Sequence, residues 1–257
     1  FFNDSDQPSP IYNLSAGTAL TRITIISEAL FLLELNPRQL SMEQISRLLL
    51  SPYLRGYQAE SSSRALLDQK LRSAGLRQYS CKALLAQIEF IEARSNQPPT
   101  PVFCAFLGQL SEQNSFPNHP QSTLQWPTKF RQQLDIYGWP GDRTLTSSEY
   151  QTAVRFHTRL NDLAQLQILQ EKTSYSSALG QLKSILSQDM YQVSGPDPSI
   201  QVLGVLEAAG LQFDYLWVMG LHDVAWPTQA IPNPFLPRAL QQEHNLPRSS
   251  FERELGF

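Results

Sequence analysis

The stretch Ile200 to Pro227, IQVLGVLEAAGLQFDYLWVMGLHDVAWP, decides the fold predicted for the C-terminal part of this chain. It contains two short apolar runs, Ile200 to Leu206 and Tyr215 to Met219. Short apolar runs that are bounded by glycine are typical of buried strands. We therefore predict two adjacent parallel strands here, joined by a link that makes a tight turn at Gly210.

The link and the residues after it resemble a motif of the UvrD-like (superfamily one) helicases. That family carries Ser-Ala-Lys-Gly-Leu-Glu-Phe, then an apolar strand, a Gly, one or two acidic residues and an aromatic-Pro pair. This chain follows the same order, and the positions that carry the resemblance are Glu207, Gly210, Leu211, Phe213, Asp214, Gly220, Asp223, Trp226 and Pro227. The resemblance implies the fold of this helicase region.

The two charged positions of the motif are replaced. Ala209 stands where the family has Lys, and Gln212 stands where it has the Glu on the nucleotide side. A Lys supplies a point charge to a phosphate, which Ala does not. A phosphate loop needs GxxxxGK[ST], and none of the five lysines follows a Gly. We therefore predict that this is a degenerate ATPase motif. We also predict that this chain needs no cofactor and catalyses no reaction.

Together with the loop Pro232 to Pro237, the pattern looks most like the inactivated helicase region of AddB-type exonucleases, bacterial DNA-repair proteins of the PD-(D/E)xK nuclease superfamily. Shorter matches lie at Tyr12 to Gly17, Leu50 to Leu54 and Gly138 to Arg143. The resemblance implies a part that scaffolds and follows DNA during repair or recombination. Its expected partners are the other domains of a longer parent chain, which is an exonuclease, and a helicase-nuclease subunit.

The rest of the chain has helical periodicity. The resemblance implies a mainly α fold with a small α/β part, in which an all-helical, 2B-like insertion is followed by parallel strands of a RecA-like 2A domain. The predicted layout is an extended segment of the 2A-like domain at 1–20, the insertion at 21–194, and a 2A-like α/β segment at 195–257. Ser41 and Gln44 have capping-box spacing. A second box is predicted at Ser148 and Gln151, and an Asn-, Ser- and Pro-rich loop at 114–127.

Composition excludes several function classes. No apolar run approaches the roughly 20 residues of a membrane span, so we expect a cytoplasmic protein without membrane contact. Cys81 and Cys104 have no metal-ligand spacing and are predicted to be buried or half-buried apolar residues. The four histidines are scattered, and no metal site is predicted.

Charge is unevenly distributed although the net charge is only −3. Residues 47–82, called the basic segment below, carry seven basic side chains against two acidic ones, whereas residues 189–257 carry eight acids and three bases. Guanidinium groups bind phosphates and aromatic rings stack on bases. We predict non-specific binding of single-stranded or tailed DNA, and the candidate contact residues are Arg47, Tyr53, Arg55, Tyr57, Arg64, Lys70 and Arg72.

A second hypothesis stays open. In this alternative the chain is a helical protein-interaction scaffold that binds no DNA. The basic segment is then only a solvated face, and the slightly acidic whole chain favours that interpretation. The two hypotheses differ in whether residues 47–82 gather their charge on one surface near the strand-containing tail.

Overall fold

The protein is mainly helical, as predicted. A computed structural model describes residues 12–14, 17–75, 77–94, 98–112, 120–168, 171–191, 200–220, 222 and 230–250. Their helices are α1 (Thr24–Glu34), α2 (Met42–Leu50), α3 (Tyr57–Ser73), α4 (Cys81–Arg94), α5 (Pro101–Glu112), α6 (Trp126–Tyr137), α7 (Ser147–Asp162), α8 (Tyr175–Gln188), α9 (Val205–Ala208) and α10 (Arg238–Glu243). The same residues also form three short 3-10 segments, at Leu20–Arg22, Thr123–Gln125 and Leu163–Ile168.

The strands of the described residues are short and form four separate pairs. In chain order they are β1 (Tyr12–Leu14), β2 (Thr18–Ala19), β3 (Leu40–Ser41), β4 (Gln78–Tyr79), β5 (Gln121–Ser122), β6 (Lys172–Thr173), β7 (Met190–Tyr191) and β8 (Ile200–Val202). β1 and β8 are parallel, with Tyr12 opposite Ile200. The pairs β2–β7, β3–β4 and β5–β6 are antiparallel.

Helix α1 is the centre of the helical body. Its side chains are apolar nearly all round, and it packs against α6 and α7. A helix with this pattern is buried on several faces. Both ends are also tied by side chains, because Trp139 Nε1 donates to the carbonyl of Ile25 at 3.0 Å and the Tyr175 hydroxyl donates to the carbonyl of Leu33 at 2.8 Å.

Helix starts follow local signals in the sequence. The Ser41 hydroxyl accepts from the Gln44 amide, and the Gln44 side chain accepts from the Ser41 amide, so the predicted capping box is present. The second box lies elsewhere than predicted, since Thr146 and Glu149 form it instead of Ser148 and Gln151. Thr146 has the extended backbone of an N-cap, whereas Ser148 is already inside the helix.

The predicted loop at 114–127 is corrected in its second half. Residues 120–127 contain β5, a 3-10 segment and the first turn of α6, and the part before 120 lies outside the described residues. The loop prediction overlooked Trp126, which is 1% exposed and stacks on Phe130 with ring centroids 5.7 Å apart. Pro127 fits a first helical turn, where a missing N–H breaks no helical hydrogen bond.

The chain divides into two compact units, residues 1–207 and 208–257. The second unit contains α10, and its Gln241 side chain is almost fully buried. The Gln241 amide donates to the carbonyls of Asn233 and Leu236 and accepts from the Asn233 amide at 2.8 Å. One buried glutamine therefore organises the proline-rich loop before α10.

The predicted second strand is wrong. Residues 215–219 have no strand partner in the described part of the chain, and their side chains range from 53% exposed at Val218 to 95% exposed at Tyr215. The first apolar run is also shorter than predicted, since β8 ends at Val202 and α9 follows. Sheets made only of parallel strands are usually covered on both faces. The described part of the second unit supplies one six-residue helix, which is too little cover.

Candidate nucleic-acid interface

The basic segment separates into two halves with different surroundings. The first half, residues 47–64, runs from α2 through the loop before α3 and into the first two turns of α3. The second half, residues 70–82, comprises the end of α3, β4 and the start of α4. Both halves include part of α3, and at a rise of about 1.5 Å per residue Arg64 and Lys70 lie roughly 9 Å apart along the helix axis.

Arg64 belongs to the interior and not to a surface. Its residue exposure is 0%. Nε and Nη2 donate to Glu60 Oε2 at 3.0 and 2.9 Å, and Nη2 also donates to the carbonyl of Arg55 at 2.7 Å. A DNA phosphate cannot reach a guanidinium in this position, and we remove Arg64 from the proposed contact residues.

Glu60, the partner of Arg64, joins α3 to the start of α5. Its Oε1 accepts from the Val102 amide at 2.7 Å and its Oε2 accepts from the Phe103 amide at 3.2 Å. These amides lie in the first turn of α5, where N–H groups have no partner inside the helix. The Glu60–Arg64 pair therefore links α3, α5 and the loop at Arg55.

Tyr53 is likewise a structural residue. Its hydroxyl donates to Glu149 Oε1 at 2.8 Å, and Arg143 lies over its ring with Cζ 5.0 Å from the centroid. Burial and the neighbouring Glu149 raise the pKa of Tyr53 to about 12. A ring that is 7% exposed offers no platform for a base.

Glu149 is held ionised by this cluster. Burial opposes its ionisation, but hydrogen bonds from Arg143, the Thr146 amide and Tyr53 outweigh burial and lower the pKa of Glu149 to about 2. Both oxygens are occupied, because Oε1 accepts from Tyr53 and Arg143 and Oε2 accepts from Thr146. The carboxylate therefore links the loop at Tyr53 to the start of α7 through hydrogen bonds.

Arg47, Arg55 and Tyr57 complete the first half. Arg47 Nε donates to Glu28 Oε1 at 2.7 Å, and its guanidinium lies over the ring of Phe31, so its charge is largely balanced. Arg55 is exposed, and Tyr57 is half-buried at the first position of α3. Of the five candidate residues in this half, Arg55 is the cation best placed to meet DNA.

The second half forms a basic corner, which we define as Arg38, Lys70, Arg72, Arg77 and Lys82. The β3–β4 pair brings these residues together, because the Met42 amide donates to the carbonyl of Arg77 and the Cys81 amide donates to the carbonyl of Pro37. Lys70 is half-buried and the other four are exposed. Lys70 and Arg72 also lie in the last turn of α3, where cations are stabilised by the helix dipole.

Two acids lie near the basic corner. Asp68 accepts from Arg72 Nε at 2.9 Å and from the Ser46 hydroxyl, and Glu43 is exposed in the first turn of α2. Five cations against two acids leave the corner positive. Arg38 was missed by the sequence analysis because it precedes the basic segment. The pairing of its flanking strand β3 with β4 brings it to the corner.

The motif residues of the C-terminal stretch are mostly exposed. Gly210 has a φ of 81° and the Leu211 amide donates to the carbonyl of Ala208, so the chain turns at this glycine. Glu207 Oε2 accepts from the Gly204 amide at 2.9 Å. Ala209, Leu211, Gln212, Phe213, Asp214 and Gly220 are exposed. Asp223, Trp226 and Pro227 lie outside the described residues.

The described residues contain no group of three or more His, Cys, Asp or Glu side chains that could hold a metal ion. Cys81 and Cys104 are both free, and burial raises the pKa of the Cys81 thiol to about 11, which leaves it a poor nucleophile. Among these residues no helix combines the length and apolar character that crossing a membrane requires.

Comparison of the chain with protein-family models, with curated proteins and with solved structures gave no match.

Proposed function

We propose that this chain is a non-catalytic, DNA-contacting and scaffolding part of a bacterial DNA-repair or recombination helicase-nuclease. The observation that carries the proposal is the basic corner, where the β3–β4 pair brings together backbone segments that carry exposed cations next to the end of α3 and the start of α4. Cations of this kind bind phosphates without reading base sequence. DNA would be bound weakly, without sequence preference, as a single strand or a tailed duplex.

The path of the chain supports a second part of this proposal, namely that the helical body is a domain inserted into another domain. β1 precedes the helical body and β8 follows it, and the two pair in parallel. β2 and β7 pair directly inside them, so the chain enters and leaves the helical body at one place. An inserted domain has this property. The proposal is a 2B-like insertion carried on a 2A-like sheet, of which β1 and β8 are two strands.

In this proposal the chain does not bind ATP. Ala209 lacks the positive charge that a phosphate would require, Gln212 lacks the carboxylate that would accept from a ribose or orient an arginine, and both side chains are exposed to solvent. Other domains of the parent chain and a helicase-nuclease subunit would supply the chemistry, in the cytoplasm. Calorimetric titration with Mg-ATP is expected to show no binding, and micromolar binding would contradict this part of the proposal.

A specific observation favours a second candidate function. The run Tyr215 to Met219 presents large apolar side chains to solvent, with Trp217 87% exposed. Exposed apolar surface of this kind marks many protein contacts. A helical protein-interaction scaffold without DNA binding is therefore the alternative.

Fluorescence anisotropy of the full chain with a labelled 20-nucleotide strand separates the two functions. The corner variant, with Arg72, Arg77 and Lys82 replaced by Gln, is expected to bind at least about tenfold more weakly in low salt, because three phosphate contacts are lost. The control variant replaces Arg22, Arg94 and Lys172, which are exposed elsewhere, and removes the same charge. Equal losses in both variants, or no binding by the unchanged protein, would favour the scaffold.

A further inference from the structure

Residues 215–219 form an apolar segment that lies in neither a helix nor a strand. Tyr215, Trp217 and Met219 are 95%, 87% and 83% exposed. Within the described parts of the chain, no backbone hydrogen bond connects this segment to another one. Its side chains and its backbone N–H and C=O groups are therefore both open to a second polypeptide.

The composition of the segment suits a β-strand. Its sequence is Tyr-Leu-Trp-Val-Met, which contains no proline, glycine or charged residue. Aromatic and β-branched residues are favoured in strands, and about five residues is a common strand length. Gly220 follows with a φ of 78°, which lies outside the strand region and ends the segment. An uncharged segment of this kind adds readily to a strand of another chain.

A second copy of this chain fits the segment. Antiparallel pairing about a two-fold axis at Trp217 sets Tyr215 of one copy opposite Met219 of the other. Leu216 is then opposite Val218, so every apolar residue of the segment meets an apolar one. The two Trp217 side chains lie opposite each other at the axis, and aromatic pairs across strands are stabilising.

The charge at the ends of the segment favours this antiparallel arrangement. In it Asp214 lies opposite Gly220, and the two carboxylates are at opposite ends of the pair. A parallel pairing in register would set the two Asp214 side chains opposite each other, and like charges directly opposite destabilise a sheet. Since both copies use the same segment about a two-fold axis, the assembly closes at two copies.

The exposed area of the segment fits a weak dimer. An aromatic side chain buries about 150–250 Å², so Tyr215 and Trp217 together offer roughly 300–450 Å² on each copy. The three other side chains add to this area. A standard interface buries about 800 Å² on each partner, which the segment approaches but does not reach. We therefore expect a dissociation constant on the order of 10 µM.

We propose that residues 215–219 of two copies of this chain pair as antiparallel strands and form a homodimer. The second copy supplies the partner strand that the segment lacks within one copy. The contact does not involve the basic corner, so it is independent of both candidate functions above.

Sedimentation equilibrium of the full chain between about 1 and 100 µM tests the dimer. The unchanged protein is expected to approach twice its chain mass at the upper concentration. Trp217→Asp sets two carboxylates opposite each other at the axis and is expected to raise the dissociation constant at least about tenfold. Tyr150→Asp is the matched control, because Tyr150 is 63% exposed on α7, and it is expected to leave the dimer unchanged.

Cysteine substitutions test the register. Opposite Cα atoms of antiparallel strands are about 4.5–5.5 Å apart, a distance that a disulfide spans. Trp217→Cys is therefore expected to give a disulfide-linked dimer in mild oxidant. Two copies of Leu216→Cys would have their Cα atoms roughly 8 Å apart and are expected to link at least about tenfold more slowly. The unchanged protein is the control for linkage through Cys104, which is half-buried.

Each variant is accepted only with a circular dichroism spectrum like that of the unchanged protein, whose own association is measured in any case. A monomer at every concentration would overturn the proposal and leave the segment to a different protein. Association that Trp217→Asp leaves unchanged, growth beyond two copies, or equal linkage at positions 216 and 217 would overturn it as well.

Discussion

The two halves of the basic segment both contain basic side chains, but these side chains are partly buried in the first half and mostly exposed in the second. In residues 47–64, Arg64 and Tyr53 are buried and bonded to acids, and they hold α3, α5 and α7 together. In residues 70–82, the cations are mostly exposed around the β3–β4 pair. The comparison shows that net charge along a sequence does not locate a charged surface.

Two ion pairs make the contrast quantitative. Glu60–Arg64 and Asp68–Arg72 both have the i, i+4 spacing on α3, and both join nitrogen to oxygen at 2.9 Å. The Arg64 side chain is 1% exposed, whereas the Arg72 side chain is 58% exposed. The spacing alone predicts neither value. Tertiary neighbours decide it, because α5 and the loop at Arg55 cover the first pair.

The largest expected effect is the loss of Arg64. Arg64→Met leaves Glu60 buried without its cation, and removing one partner of a buried pair costs about 3–5 kcal/mol in the free energy of unfolding. Arg72→Met is the matched control, and an exposed pair contributes about 0–1 kcal/mol. Urea unfolding measures both. Equal effects of the two substitutions would break the contrast between the halves.

Glycine substitutions sharpen the same comparison. Gly56 and Gly75 have φ values of 80° and 73°, so Ala is strained at either position. A Cβ on Gly56 would lie 2.6 Å from Val102 and 2.9 Å from Arg64, whereas a Cβ on Gly75 has nothing within 4 Å. We expect Gly75→Ala to lower the free energy of unfolding by about 1 kcal/mol, and Gly56→Ala by about 2–4 kcal/mol because overpacking adds to the strain. The free energies of unfolding are measured by thermal or urea unfolding. If Gly56→Ala and Gly75→Ala lowered the free energy by the same amount, the tight packing of residues 47–64 would be contradicted.

A third prediction concerns acid. The pKa of Glu149 is lowered from 4.5 to about 2, so its ionised form stabilises the folded state above about pH 4.5. That contribution is lost as the pH falls from 4.5 towards 2, because the unfolded chain then binds the proton more readily. The unchanged protein should lose about 1–2 kcal/mol more than Glu149→Gln across this range, after allowance for partial solvent screening. The free energy of unfolding is measured with urea at each pH. If both proteins lost the same free energy between pH 4.5 and 2, Glu149 would not stabilise the contact between the loop at Tyr53 and the start of α7.

Features that depend on neighbouring residues could be predicted from the sequence. The Ser41–Gln44 capping box and the turn at Gly210 need only a few adjacent residues, and both are present. The helical character of the body follows from apolar periodicity, which α2 shows at its buried residues Ile45, Leu48 and Leu49. In the candidate site, Arg55 and Arg72 are exposed, and their contact with DNA stays a prediction.

Features that depend on distant residues could not be predicted. An apolar run such as 215–219 has the composition of a strand, but a strand also needs a partner strand and cover. The burial of Arg64 depends on α5, which begins 37 residues later in the chain. Arg38 reaches the basic corner through a strand pair that joins residues 40 and 79.

The salt dependence of DNA binding tests the central claim most directly. Each phosphate contact releases counterions and contributes about 0.7 to 0.9 to the slope of log K against log salt. We predict that the corner variant (Arg72, Arg77 and Lys82 to Gln) reduces this slope by about 2–3, while the control variant (Arg22, Arg94 and Lys172 to Gln) leaves it unchanged. An unchanged slope in a correctly folded corner variant would contradict the assignment of DNA binding to the basic corner.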